Sequence, residues 1–209
     1  MTTERAGHVP FPIVLLGAGG STRMGGADKL LELVDGLPLL RRQADMALSV
    51  AGAGVFVALT PAPHPRHDAL VGCDAVRVEV PDASEGMNAS LRRAFAALPA
   101  DAPAAMLLLG DQPDIRARDL VRLATAVNAG GDTRIWRAAT ETGAPGHPIV
   151  FHAELFEEIM QLKGDEGAKS LVKSNAHRVE LIQIPGDRAR RDLDTPEAWA
   201  AWRAENPDR

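Results

Sequence analysis

LLGAGGSTRMGGADKLL, residues 15–31, is the stretch on which the reading of this chain turns. An apolar run, Phe11-Pro12-Ile13-Val14-Leu15-Leu16, leads directly into a loop with glycines at 17, 19, 20, 25 and 26 and two cations, Arg23 and Lys29. A buried strand that opens into glycine-rich backbone presents N–H groups to an anion, and the two cations can neutralise phosphate charge. The segment therefore reads as a polyphosphate receptacle. A Walker loop is excluded: Gly20 and Gly25 have its spacing, but Gly26 follows and Asp28 precedes the lysine. The dinucleotide fingerprint fails too, because Thr22 stands where its third glycine belongs. An ordinary strand–helix connection explains the glycines but not a loop this long carrying both cations.

Outward from this loop, apolar runs alternate with helical patterns. Strands are expected at 13–16, 55–59, 75–80, 104–109, 134–136, 148–151 and 179–184. Helices are expected at 38–51, 88–98, 117–129, 153–161, 168–174 and 196–204. Within the second helix Leu91, Ala94, Phe95 and Leu98 recur at i, i+3, i+4 and i+7, which makes one apolar face. Met106-Leu-Leu-Leu109 is apolar at every position, the signature of a central parallel strand covered on both faces. Strands alternating with helices imply an α/β fold with a mostly parallel sheet, and ligands bind beyond the carboxyl ends of its strands. Pro61-Ala-Pro-His-Pro65 reads as a local turn.

The 209 residues suit one domain spanning 1–209, with 1–10 and 205–209 expected to fray. An apolar share of 45% and a charged share of 24% fit an ordinary globular protein, not a disordered one. A net charge of −5 argues against a nucleic-acid surface. Cys73 is the sole cysteine, so no internal disulfide can form. The start has no apolar signal core, and no segment approaches the ~20 apolar residues of a membrane span. A cytoplasmic location, with no membrane contact, is the expectation.

Other segments carry candidate chemistry. Gly110-Asp111-Gln112-Pro113 follows the most apolar strand. Asp111 can begin a turn or cap a helix, but at the end of a central strand it is also placed to hold Mg²⁺, which binds through one or two carboxylates plus substrate phosphates. Asp192 and Asp194 alternate in an extended segment and face one side, so one of them is a candidate second ligand. Thr195-Pro196 then reads as a helix N-cap with proline at the first helical position. Gly86-Met-Asn88-Ala-Ser90 opens a helix, where Asn88 or Ser90 either caps it or touches a nucleobase or ribose. Gly146-His147-Pro148 enters a strand, and His147, with no partner visible, suits substrate contact better than acid–base work. Gly164-Asp-Glu-Gly-Ala-Lys169 reads as a loop and helix start with acids at the positive helix end, Lys169 being able to reach a phosphate.

Taken in order, these segments resemble one family, the nucleotidyltransferases that act on the molybdenum cofactor (molybdopterin cytidylyl- and guanylyltransferases). The likeness rests on 15–31 and on 86–90, 109–113, 146–151, 164–169 and 192–197. It implies a Rossmann-like three-layer α/β/α fold of the nucleotide-diphospho-sugar transferase type. It implies that Arg23 and Lys29 bind a triphosphate, that Asp111 binds Mg²⁺, and that these three are the catalytic residues. The expected nucleotide-binding set is Leu16, Gly17, Ala18, Gly19, Gly20, Ser21, Arg23, Met24, Lys29, Gly86, Asn88, Ser90 and Gly110. Gly146, His147, Pro148 and Lys169 are expected on the acceptor, and Asp111, Asp192 and Asp194 on the metal. Ala18 and the run Asp192-Leu-Asp-Thr-Pro196 resemble the cytidylyl branch, whereas Arg23-Met24-Gly25-Gly26-Ala-Asp28-Lys29 is closer to the guanylyl form. The implied activity is transfer of CMP from CTP to a molybdopterin-type acceptor, with a molybdoenzyme or its maturation factor as partner. The alternatives are the same chemistry with GTP, with a sugar phosphate, isoprenoid precursor or other cofactor as acceptor, or a non-catalytic cofactor carrier. An oxidoreductase is disfavoured by the missing third glycine.

Overall fold

The computed structural model describes residues 7–127 and 131–209. In chain order its elements are β1 (Ile13–Gly17), β2 (Leu33–Val34), β3 (Leu37–Pro38), α1 (Leu39–Leu48), β4 (Val55–Leu59), α2 (Pro65–Ala69), β5 (Val76–Glu79) and α3 (Met87–Ala96). They continue with β6 (Ala104–Leu109), α4 (Ala117–Val127), β7 (Ile135–Ala139), β8 (Pro145–His152), α5 (Phe156–Met160), α6 (Lys169–Ser174), β9 (Val179–Gln183) and α7 (Pro196–Glu205). Seven strands form one sheet in the order β5-β4-β1-β6-β8-β7-β9, parallel except where β8 pairs with β6 and β7. The small hairpin β2–β3 stands apart.

The central strands are uniformly apolar because both faces are covered, and alternate side chains feed opposite layers. Ile13, Leu15, Val57, Met106 and Leu108 pack with Leu40, Ala44 and Ala47 of α1 and Leu120, Leu123 and Ala124 of α4. Val14, Ala58, Ala105, Leu107 and Phe151 pack with Leu91, Ala94 and Phe95 of α3, Ile159 of α5 and Leu171 of α6. Phe95 meets Phe156 edge to face at 5.2 Å. Full burial of each Val, Leu, Ile, Met or Phe among them contributes roughly 1.5–3 kcal/mol. The architecture is the expected three-layer α/β/α sandwich. A third cluster joins Met24, Val34, Leu39 and Leu193 to Trp199 and Trp202, so α7 is docked against the glycine-rich loop.

Several boundaries differ from expectation. The Pro61–Pro65 turn runs into α2, where His64 Nδ1 accepts from Arg66 N–H and Pro65 stands at the first helical position. The helix expected at 153–161 begins as a 3₁₀ turn over Ala153–Leu155. β8 starts three residues before the expected 148. The last two residues expected in the helix 117–129 lie outside the described residues, as do 1–6 of the segment expected to fray. Val9 is not frayed: it is buried and bonds the 50–52 turn. Nor is Arg209, which donates to Asp35 and Asp114 and stacks on Trp202.

Candidate active site

The carboxyl ends of β1, β6 and β7 and the start of antiparallel β8 gather at one edge of the sheet. The loop after β1 crosses it in a conformation that costs strain: Ser21, a non-glycine residue, has φ +50°. Arg66 holds it there. Its guanidinium is almost fully buried and donates to Gly17 O at 2.7 Å, to both oxygens of Asp28 at 2.7 Å and to Ser21 Oγ at 3.2 Å. Ser21 Oγ donates to Asp28 Oδ1 at 3.1 Å, and Leu30 N–H donates to the same oxygen at 3.0 Å. Burial pushes Asp28 up, but the hydrogen bonds and charge of Arg66, with those from Leu30 and Ser21, hold it below the ordinary carboxylate value. At the other side of the loop Met24 is anchored in the tryptophan cluster. A loop pinned at Gly17, Ser21, Met24 and Asp28 leaves Lys29 little freedom.

Lys29 points at the carboxylates. Its Nζ donates to Asp111 Oδ2 at 2.6 Å and to Asp194 Oδ1, and Arg23 pairs with the other oxygen of Asp194. Burial lowers the proton affinity of Lys29, but the charges of and hydrogen bonds to Asp111 and Asp194 outweigh it and raise the net value. Asp111 O accepts from Leu193 N–H at 3.1 Å, which lays the extended 192–194 segment alongside the end of β6. Thr195 Oγ1 caps α7 by accepting from Ala198 N–H at 3.2 Å, as expected, and so fixes where that segment ends.

One carboxylate oxygen from each of Asp111, Asp192 and Asp194 lies within 4.8 Å of the others. Burial, then the charges of Asp111 and Asp194, raise the pKa of Asp192. Burial pushes Asp194 upward too, but Lys29 and Arg23 overcome it and hold it low. Asp111 Oδ1 is buried and has no hydrogen-bond partner among the described residues. An orphaned buried carboxylate oxygen beside two further carboxylates is a donor set that fits a hard divalent cation. The cluster can hold one.

Beside it lies a cavity of about 380 Å³, bordered by the glycine-rich loop, the N-terminus of α3 and the end of β6. Of the expected nucleotide residues, Leu16, Ala18, Gly19, Gly20, Lys29, Gly86, Ser90 and Gly110 line it. A second hollow of about 170 Å³ is walled by Ser21, Arg23, Lys29 and Asp194. Three expected residues turn away from both. Gly17 spends its carbonyl on Arg66, the Met24 side chain belongs to the core, and Asn88 is a buried residue of α3, donating to Lys163 O at 2.8 Å. Neither Asn88 nor Ser90 caps α3; that part falls to Asp165, whose Oδ1 accepts from Met87 N–H at 2.8 Å. The acid read as belonging to the following helix therefore serves a helix far earlier in the chain and lines the larger cavity. Gly86 makes this possible: at φ +104°, a Cβ there would sit 2.3 Å from Asp165 Oδ1.

On the other flank of Asp111, Gly146 takes the 187–191 loop so closely that a Cβ would fall 1.9 Å from Ala189 O. His147 N–H donates to that same oxygen at 2.7 Å. Burial, then the charge of Arg137, push His147 down to about 4, so it is neutral near pH 7. Pro148 is buried in β8, and Lys169 is exposed at the start of α6, lining neither cavity. Sequence reasoning missed Arg66 and Asp165. Each acts through a partner distant along the chain, and no local pattern announces it.

A glycine-rich anion loop, two cations and three carboxylates at one sheet edge suit a nucleoside triphosphate with a divalent metal. The comparisons agree. The MobA-like NTP transferase domain model matches residues 13–179. The chain belongs to this family. It is a nucleotidyltransferase. Among solved structures, Rv0371c from Mycobacterium tuberculosis H37Rv is 31% identical, covering 92% of this chain and 97% of that one, with a TM-score of 0.76. A manganese complex of Rv0371C gives 27% identity, 91% and 95% coverage and a TM-score of 0.74. CMP:2-keto-3-deoxy-manno-octonic acid synthetase, solved with CTP, shares the fold at 18% identity, with 93% and 97% coverage and a TM-score of 0.73. The bifunctional protein GlmU of Sorangium cellulosum is 28% identical over 145 residues, 65% of this chain, and the match spans 30% of that relative's length. Among the described residues, no helix is long and apolar enough to cross a membrane.

Proposed function

We propose that this nucleotidyltransferase, with Mg²⁺, moves CMP from CTP onto a phosphate of a molybdopterin-type acceptor and releases pyrophosphate. The observation that carries the reading is Lys29, bonded at once to Asp111 and Asp194 within one cleft. That juxtaposition puts a triphosphate-gripping cation beside a metal-binding carboxylate set. A divalent ion bound there would neutralise charge at the α-phosphate. Asp111, Asp192 and Asp194 are the residues that would hold it. Arg23 and Lys29 hold the β- and γ-phosphates and stabilise the departing pyrophosphate. Backbone N–H groups of 18–20 cradle the phosphates, and the cavity between Ala18, Gly86 and Ser90 takes the base. A phosphate acceptor is already ionised near neutral pH, so the site needs no strong general base, and positioning with charge neutralisation supplies the catalysis.

CTP is favoured by Ala18 and the Asp192-Leu-Asp-Thr-Pro196 run, and the CTP-bound fold relative is consistent with it. GTP is the second reading, favoured by Arg23-Met24-Gly25-Gly26-Ala-Asp28-Lys29. One experiment tests both: α-labelled CTP and GTP with purified molybdopterin and Mg²⁺, scored for label transfer and pyrophosphate release. Transfer from CTP is expected. Transfer from GTP alone moves the base assignment, and transfer from neither removes the molybdopterin acceptor, after which sugar phosphates are tried.

A further inference from the structure

We infer that Arg137 of β7 and Arg190 of the 187–191 loop form the site that receives the anionic phosphate of the acceptor. The inference rests on the nucleotidyl-transfer reading above and adds where the attacking group is held. In-line displacement requires the attacking oxygen to approach the α-phosphorus from the side opposite the departing pyrophosphate. Strand order defines those sides. β6, which carries Asp111, lies between β1, which carries the glycine-rich loop, and β8. Lys29 and Arg23 grip from the β1 side, so the acceptor must enter over β8 and β7.

Two unneutralised cations stand there. The register pairs Leu107 with Ile149, and continuing it brings His147 level with Leu109, two residues short of Asp111. Arg137, paired with Ile149 on the next strand, sends Nε to Gly146 O at 2.8 Å, and its two terminal nitrogens make no hydrogen bond among the described residues. Gly146 is in turn pressed against Ala189, and Arg190 follows directly, two residues before Asp192. Among the described residues neither Arg137 nor Arg190 pairs with a carboxylate. The arginines flanking Arg190 both do, Arg188 with Asp119 and Arg191 with Asp187 and Glu205. Burial, then the charge of Arg190, depress the proton affinity of Arg137, as expected for like charges with no acid between them. A pair of arginine forks kept free on the β8–β7 side of the aspartate cluster matches a phosphomonoester dianion, which accepts several charged hydrogen bonds. In the reaction an oxygen of that phosphate forms a bond to the α-phosphorus. The α-phosphorus bond to the bridging oxygen breaks, pyrophosphate leaves with the electron pair, and no proton needs to move.

Methyl phosphate is the probe. The full chain is loaded with Mn²⁺ and the α,β-methylene analogue of CTP or GTP, and the enhancement of methyl phosphate ³¹P relaxation by Mn²⁺ is titrated. Wild type is expected to show saturable enhancement. In R137Q/R190Q the half-saturating concentration should rise about tenfold or more, the equivalent of one charged hydrogen bond, with analogue binding unchanged. R190Q and R190E, at an exposed side chain that leaves the core untouched, should weaken methyl phosphate in that order. R118Q/R122Q, which removes two exposed charges from α4, should leave it alone. Equal methyl phosphate binding in R190E and wild type, or equal weakening in R118Q/R122Q, overturns the inference while nucleotide binding stands. Failure of wild type to bind either analogue with Mn²⁺ marks the different failure, that of the nucleotidyl-transfer reading, and takes the inference with it.

Discussion

Replacing Arg66 with alanine tests whether the glycine-rich loop is held from behind. The guanidinium is 3% exposed and makes four hydrogen bonds, two of them a fork onto Asp28. Its removal leaves Gly17 O and a carboxylate at 20% exposure short of partners. Breaking a buried pair by deleting one partner costs 3–5 kcal/mol, and Asp28 keeps Ser21 and Leu30, so the low end applies, about 3 kcal/mol. For a chain of this size that lowers the melting temperature by roughly 6–12 °C. Arg66→Lys keeps the charge but loses the fork, and should recover only part of the loss. The folded-state pKa of Asp28 lies below its unfolded value, so the unfolded chain binds the extra proton. The stabilisation is thus present above the unfolded value, near pH 4, and is lost as pH falls through the folded one. Urea unfolding of wild type, R66A, D28N and the double variant at pH 7 and pH 3 measures all of this. The stability gap between wild type and R66A should narrow at pH 3, and the two substitutions should be far from additive at pH 7. A loss below about 1 kcal/mol at pH 7, or an equal loss at both pH values, would refute the account.

Lys29→Ala and Asp111→Ala should lower turnover about 10²–10³-fold while each variant stays fully folded at the assay temperature, checked by steady-state kinetics and thermal melts. Lys29→Ala should also tighten Mn²⁺ binding without nucleotide by roughly tenfold, because a competing cation leaves Asp111 and Asp194; electron paramagnetic resonance titration of free Mn²⁺ reads this directly. Gly86→Ala should destabilise by about 1–3 kcal/mol, through both the positive φ and the contact with Asp165, and calorimetry settles it. His147 is held at about 4 against an ordinary 6.5, so the unfolded chain takes up the proton first and stability falls as pH drops from 6.5 toward 4. The term is at most about 3 kcal/mol, and His147→Gln should flatten that part of the urea-unfolding pH profile.

The parts of the fold legible in sequence are those whose burial is complete. The spans 55–59 and 104–109 are legible to the residue because strands covered on both faces are apolar throughout. The hairpin of β2 and β3 escaped notice because two-residue strands carry no period. The start of β8 was hidden because Pro145 and Gly146 read as loop. α2 was hidden because its cap is a histidine ring nitrogen, not one of the usual short polar side chains. In the site, the loop's glycines and cations, Asp111 after β6 and the aspartates just before α7 follow from local order. Arg66 and Asp165 do not, since their meaning lies in Asp28, 38 residues away, and Met87, 78 residues away. Met24 misleads for a related reason: a methionine inside a glycine-rich loop reads as ligand contact until Trp199 and Trp202 are seen beneath it.

The same carboxylates serve two masters, and this bears on how the site would assemble. Asp111 and Asp194 are bonded to Lys29, and Arg23 adds to Asp194, so the two cations proposed to grip the triphosphate are occupied by the acids proposed to bind metal. A divalent ion alone must displace Lys29, and a triphosphate alone must draw Lys29 and Arg23 away from charges they neutralise. Arriving together, each ligand relieves the cost the other incurs: the metal takes over the carboxylates as the phosphates take over the cations. Reciprocal coupling between the two ligands is then a property of the charge arrangement itself, requiring no change of fold. The pinned loop is what makes this exchange local. Because Arg66 and Met24 fix both sides of the loop, the Lys29 side chain can change partners while the backbone beneath it stays in place.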